Sequence, residues 1–218
     1  MLPILCSPLG YALDITWTLS VNGSFSSRQR DVYEVVMRAQ RAGIKHMKPG
    51  TPFLECHLAA ARAVAAGLQE LGLMRGDIEE GVAAGAHALF FPHGLGHMLG
   101  IDVHDMESLG EDFVGYDREF RRNGQFGLSG LRLARRLEAG FVVTVEPGVY
   151  FIPALIARWR EQGLHADFIN YAAVEQYMDF GGIRLEDDVL VTETGAEILS
   201  QRIPLEPSDV CARMAVAS

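Results

Sequence analysis

The sequence predicts an α+β fold in which a largely antiparallel sheet is covered by helices. The main observation is the order of segments along the chain: strand, helix, helix, glycine-rich bend, strand, helix, strands. A second is composition. Of 218 residues, 49% are hydrophobic, enough for a substantial core. A third is the lack of any low-complexity stretch or linker, so one domain over residues 1–218 is expected.

Taken in order, "YALDITWTLSVNG" alternates as a strand does. Tyr11, Leu13, Ile15, Trp17 and Leu19 share one face, and Asp14, Thr16 and Thr18 the other. "VNG" reads as a turn. From about Ser27 to Met47, the apolar stripe Val32, Val35, Val36 and Ala39 has helical spacing, and "KPG" ends it. A second, alanine-rich helix is expected to about Leu71, with Thr51 as N-cap and Pro52 at its first position. Residues 74–92 suit a short helix. Residues 106–130, with five glycines and many charges, read as a surface loop beside a site. "LRLARRL" reads as a short polar turn or strand start. "FVVTVEPGVYF" is a strand interrupted at Pro147 and Gly148. "IPALIARWREQ" is a helix, and "GGIRLEDDVLVTETGAEIL" is a hairpin turning at "TETG".

The net charge of −9 argues against non-specific affinity for nucleic acid or anionic membranes and is compatible with cation binding. Cys6, Cys56 and Cys211 are odd in number and widely spaced, so neither a disulfide framework nor a zinc knuckle is expected. No run of 18 apolar residues suggests a membrane span, and "MLPILCSPLG" lacks the basic region of a signal peptide. A cytoplasmic protein is the expectation.

The chemistry concentrates in "PHGLGHMLGIDVHD", where His93, His97, Asp102, His104 and Asp105 surround Gly94, Gly96 and Gly100. Glycine disfavours both helix and strand interiors, so local stability did not select this segment. Three carboxylates sit where burial is costly: Asp14 in mid-strand, Glu146 after a Phe-Val-Val-Thr-Val run, and Glu186 on the strand face of Arg184. A buried carboxylate requires a cation, a proton or strong donors. Singly, a strand aspartate or a histidine is most often structural, and Asp187 and Asp188 read as structural or solvated. Three carboxylates with a histidine cluster suggest one shared metal site. Such donors suit Mn²⁺, Co²⁺, Fe²⁺ or Zn²⁺, and two ions bridged by carboxylates and a water would form a hydrolytic centre. His93 and His97 have the spacing of a zinc-binding helix, but glycines lie between them and the intervening Glu is missing.

"DITWTLSVNGSFS", "FFPHGLGHMLGIDVHD", "LRLARRLEAGFVVTVEPGVYF" and "FGGIRLEDDVLVT" resemble, in order, the signatures of the pita-bread metallopeptidases, whose fold is also described as creatinase/aminopeptidase-like. Among these they are most similar to the Xaa-Pro dipeptidases (prolidases), especially bacterial ones. The resemblance covers residues from about 10 to 200. It implies a curved, largely antiparallel sheet covered by helices, and a centre of two divalent ions, Mn²⁺ first, held by five ligands. Matched motif by motif, four are Asp14, His97, Glu146 and Glu186, with Asp14 and Glu186 bridging. His104 is similar to the histidine that contacts the substrate and the developing oxyanion. Arg184 resembles the arginine that orients the site, and His93 completes the catalytic candidates. Arg132 resembles the arginine that, in dipeptidases, binds the substrate's free carboxylate, which would favour dipeptides over longer peptides. "YFIPALIARWREQG" resembles the bacterial dipeptidase insert.

The resemblance breaks at the start. The family's first aspartate ligand stands eleven residues before the second, and Pro3 occupies that place. The expectation is a chain lacking the family's N-terminal domain and first metal-ligand strand, with one ion held tightly rather than two. A homodimer would cover the sheet edge so exposed. The implied function is metal-dependent hydrolysis of Xaa-Pro dipeptides. Its alternatives are an aminopeptidase acting on longer Xaa-Pro peptides, which Arg132 disfavours, and an inactive relative that binds peptide or metal, which Pro3 favours.

Overall fold

The computed structural model describes residues 10–200 and 203–216. Pro3 and Cys6, and with them the expectation about the first aspartate, lie outside the described residues.

β1 is Thr16–Trp17, two residues long. The longer strand expected over 11–19 does not form, because side chains take over its hydrogen bonds. The Asp14 N–H is 3.3 Å from the Asp188 carboxylate, and the Thr18 hydroxyl donates to the Arg184 carbonyl at 3.0 Å. The expected burial is also reversed: Thr16 is buried whereas Tyr11 and Leu19 are exposed.

α1 (Ser27–His46) opens with a capping box between Ser26 and Gln29 and closes with Lys45 and His46 against its negative C-terminal end. It buries Val32, Val35, Val36 and Ala39 as its spacing predicts. α2 (Phe53–Glu70) starts one residue later than Thr51 as cap implies: Pro52 holds the N-cap position, without a side-chain cap. The cause is tertiary. The Leu137 N–H donates to the Thr51 carbonyl at 2.9 Å, and the Phe53 N–H donates to the Arg135 carbonyl at 2.9 Å. The "LRLARRL" segment is therefore no polar turn. Leu131, Leu133, Ala134 and Leu137 are buried against the start of α2.

α3 (Ile78–Ala84) is capped by Asp77 and runs into a 3₁₀ turn, Ala86–Leu89. Residues 106–130 are largely loop, with a 3₁₀ turn at Glu107–Leu109 and one helical turn, α4 (Glu111–Val114). β2 (Val142–Val145) and β3 (Gly148–Tyr150) are the strand broken at Pro147. α5 (Pro153–Glu161) and α6 (Tyr171–Val174) precede β4 (Gly182–Val191), which turns at residues 192–195 into β5 (Ala196–Ile198). α7 (Pro207–Val216) was not foreseen, although Pro207 at its first position and Asp209 in its first turn are start signals.

Among the described residues all strand pairs are antiparallel, and β4 pairs with each of the other four. Alternation along β4 sends Arg184, Glu186 and Asp188 to one face and Ile183, Leu185, Asp187 and Val189 to the other. The second face joins the core under α1, where Ile183, Leu185 and Val189 are buried. Asp187 is structural there: its carboxylate accepts from the Gln40 amide at 3.0 Å and from the Ser200 hydroxyl. Cys56 and Cys211 are free. No helix among the described residues is long and apolar enough to cross a membrane.

Candidate metal centre

The glycine–histidine segment runs beside β2 as an irregular strand. The Glu146 N–H donates to the Leu95 carbonyl at 2.7 Å, and the Thr144 N–H to the His97 carbonyl at 3.0 Å. The two backbones approach so closely because residue 96 has no side chain: a Cβ there would stand 1.9 Å from the Thr144 carbonyl oxygen. The Thr144 hydroxyl accepts the His97 N–H at 3.1 Å. His97 and Glu146 are thus held in register.

Three of the four expected ligands meet directly. One donor atom each from Asp14, His97 and Glu186 lies within 4.8 Å of the others. Glu146 adjoins this group, its Oε1 3.5 Å from His97 Nε2, while Asp14 Oδ2 is 3.6 Å from the same nitrogen. Two atoms each about 2.1 Å from one ion stand about 3–3.5 Å apart, so these spacings match a shared ion. The histidine tautomer agrees. His97 Nδ1 can only donate to the Met98 carbonyl, 3.0 Å away, which leaves the Nε2 lone pair facing the carboxylates.

The electrostatics of the cluster point the same way. Burial, then the neighbouring Glu146 and Asp14, raise the Glu186 carboxyl to about 8. Burial raises Glu146 as well, against the pull of Arg184 and His97. Asp188, buried beside Asp14, rises to about 7. For His97, burial opposes a charge, but Asp14 and Glu146 outweigh it and raise its pKa. Carboxylates that resist ionisation around one imidazole call for a cation, and this donor set fits a hard or borderline divalent ion.

The remaining expected residues line a cleft of about 210 Å³ beside this cluster: His93, His104, Arg132, Glu146 and Arg184, with Gly94, Gly96 and Gly130. Arg184 Nη1 grips Glu146 Oε2 at 2.8 Å. Its Nε–H donates to the Tyr150 hydroxyl at 2.7 Å. That hydroxyl donates in turn to His93 Nε2 at 3.1 Å, since His93 Nδ1 donates to the Gly94 carbonyl at 2.8 Å. The relay needs a neutral His93, and burial and Arg184 lower its pKa to about 4. The His104 ring stands edge-on to His97 at 4.3 Å between centroids, and partial burial and His97 lower its pKa.

Sequence reasoning missed Tyr150, Thr144, Thr16 and Asp188. The Thr16 hydroxyl bonds Glu186, and the others act as described above. A tyrosine among apolar strand residues reads as core, so only its place four residues past Glu146 marked it. At Gly96 the close backbone approach is to β2. Asp102 is exposed, and Asp105 accepts the Asp102 N–H at 3.3 Å, so neither joins the cluster.

Residues 4–193 match the model of metallopeptidase family M24. Human Xaa-Pro dipeptidase is 41% identical over 87% of this chain and 37% of its own length. A probable Xaa-Pro aminopeptidase of Botryotinia fuckeliana is 40% identical over 87% of this chain and 40% of its own length. Among solved structures, Pseudomonas aeruginosa aminopeptidase PepP superposes with a TM-score of 0.72 at 36% identity, over 95% of this chain and 39% of that one. Zinc-substituted Escherichia coli aminopeptidase P in complex with product gives 0.71 at 37% identity, over 96% and 39%. The α+β architecture is therefore the pita-bread one. The chain spans about two fifths of the length of these relatives.

Proposed function

The chain belongs to metallopeptidase family M24, and from that premise we propose that it cleaves Xaa-Pro dipeptides, with a divalent ion held by Asp14, His97, Glu186 and Glu146. Mn²⁺ is the first choice for a carboxylate-rich set, with Co²⁺, Fe²⁺ or Zn²⁺ as alternatives. Such an ion supplies Lewis-acid polarisation of a carbonyl and acidifies water.

The protein's own groups do the rest. Glu146, a carboxyl raised by burial, takes a proton from the attacking water and delivers it to the leaving proline nitrogen. Arg184 fixes one of its oxygens so that the other faces the cluster. His104 is neutral at working pH and donates to the oxyanion of the tetrahedral intermediate. Arg132 pairs with the substrate's terminal carboxylate.

The observation that carries the dipeptide reading is the place of Arg132 in the wall of the cleft shared by His104, Glu146 and Arg184. A second reading, an Xaa-Pro aminopeptidase acting on longer peptides, draws on the names of several relatives. An arginine in the wall of the cleft tells against it. The test is Arg132→Ala assayed on Gly-Pro and Met-Pro, with metal per chain measured after dialysis and turnover measured with and without added Mn²⁺. Loss of one charge-assisted pair raises KM by about 10- to 150-fold and leaves metal content unchanged. Equal KM for wild type and variant refutes the carboxylate role. Absence of turnover with metal bound selects the reading of an inactive binding relative.

A further inference from the structure

Arg132 is not free. Its Nη1 is hydrogen-bonded to Glu107 Oε2 and lies 3.6 Å from Glu111 Oε1. Glu107 therefore places a carboxylate on the guanidinium that the dipeptide reading reserves for the substrate. Its side chain is only 16% exposed, so the pair is partly withdrawn from water.

Little packing holds the segment that carries Glu107. Neither the 3₁₀ turn Glu107–Leu109 nor α4 buries a single residue. Residues with positive φ bracket the turn, Met106 at 59° and Gly110 at 115°. Beyond Gly110 the chain is anchored: Arg122 hydrogen-bonds to Glu111, to Asp112 at 2.9 Å and to the Ser129 carbonyl at 2.9 Å. The short turn can swing while α4 stays in place.

Resting on the dipeptide reading, we propose that Glu107 is a specificity-determining residue that occupies the carboxylate position at Arg132 and is displaced by the carboxylate of a bound dipeptide. The exchange replaces one carboxylate with another, so the guanidinium stays paired in both states. A peptide without a carboxylate at that point leaves Glu107 in place and meets a closed wall. Apparent affinity falls by the fraction of time Arg132 is uncapped. For an ion pair of this exposure, that is about fivefold.

The test uses the whole chain and two readouts. Calorimetry follows proline, which carries the carboxylate and is not cleaved, with prolinamide as the probe lacking it. Kinetics of the Mn²⁺-supplemented chain follow Gly-Pro. Glu107→Gln tightens proline binding and lowers the Gly-Pro KM about fivefold, with kcat within twofold and prolinamide unchanged. Glu107→Ala repeats the measurement without an amide able to bond Arg132 in the old manner. Unchanged or weaker proline binding in both variants overturns the proposal and gives Glu107 the role of holding Arg132 in place. Arg132→Ala separates the two levels. If it weakens proline binding while the Glu107 variants have no effect, only the capping proposal fails; if it has no effect, the dipeptide reading fails.

Discussion

Replacing Gly96 by alanine tests the frame of the candidate metal centre without touching a proposed ligand. The added Cβ stands 1.9 Å from the Thr144 carbonyl oxygen, against 3.4 Å for ordinary contact, so the backbones must separate by 3.4 − 1.9 = 1.5 Å. No flexible side chain can yield, because the nearest atoms are the carbonyl of β2 and the Thr144 hydroxyl at 2.8 Å. The hydrogen bonds on either side, from Thr144 N–H to the His97 carbonyl and from Glu146 N–H to the Leu95 carbonyl, stretch or break. Overpacking of this kind costs about 3 kcal/mol, the upper end of the usual range because backbone must move. For a chain of this size the Tm falls by roughly 6–12 °C. His97 shifts against Asp14 and Glu186, and divalent-ion affinity falls about 10- to 100-fold, as when a supporting contact is lost. Thermal unfolding followed by circular dichroism and a Mn²⁺ titration measure both. Gly124→Ala, where an added Cβ meets nothing within 4 Å, is the control. A Gly96→Ala chain within about 2 °C of wild type and with unchanged ion affinity would refute the close approach.

Glu186→Gln separates stability from function. The folded-state carboxyl is raised to about 8 from 4.5, so its stabilising, protonated form is lost as pH climbs through that window. Without metal, the variant is more stable than wild type at pH 9 and loses the Tm rise that added Mn²⁺ gives wild type; equal metal-free Tm values at pH 9 would count against a crowded carboxylate cluster. A further prediction concerns acid. His57 and His87 are fully buried, and none of their ring nitrogens has a hydrogen-bond partner. Burial lowers them to about 3 and about 4 from 6.5, so the unfolded chain binds more protons below pH 6.5 and stability falls from there downward. At pH 4 each ring has lost about 3 kcal/mol, from 6.5 − 4 = 2.5 units. His57→Phe, packed against Phe91, shifts the acid-unfolding midpoint downward; an unmoved midpoint assigns acid sensitivity elsewhere.

The residues of the centre were legible because each sits in a locally improbable place. Asp14 and Glu146 interrupt apolar runs, and Arg184 and Glu186 share the even positions of a strand whose odd positions are apolar except at Asp187. Two-residue alternation carried that through to the structure without help from tertiary contacts. The same logic failed for residues 11–19, where the face toward the centre is the polar one and Asp188 replaces a ladder partner. It failed again at Thr51 and at "LRLARRL". There the decisive bonds join segments some 85 residues apart, such as Leu137 to Thr51, and no local pattern encodes them. Glu107 was illegible for the same reason. Its meaning lies in the arginine 25 residues onward that it touches.

The role of β4 as the partner of every other strand bears on how the protein is made. Thr16 pairs with Glu186, a separation of 170 residues (186 − 16). At about 5–20 residues per second, a ribosome takes roughly 10–30 s to bring the second after the first. During that interval Asp14, then His97 and last Glu146 are made in turn, each ahead of the strand that joins them. A metal ion meeting the nascent polypeptide finds isolated carboxylates and one imidazole, a set that ranks metals by intrinsic affinity and would favour copper or zinc. Only when β4 emerges does geometry enter the selection. Late translation of one strand thus means that geometric discrimination between metals exists only after β4 has joined the sheet.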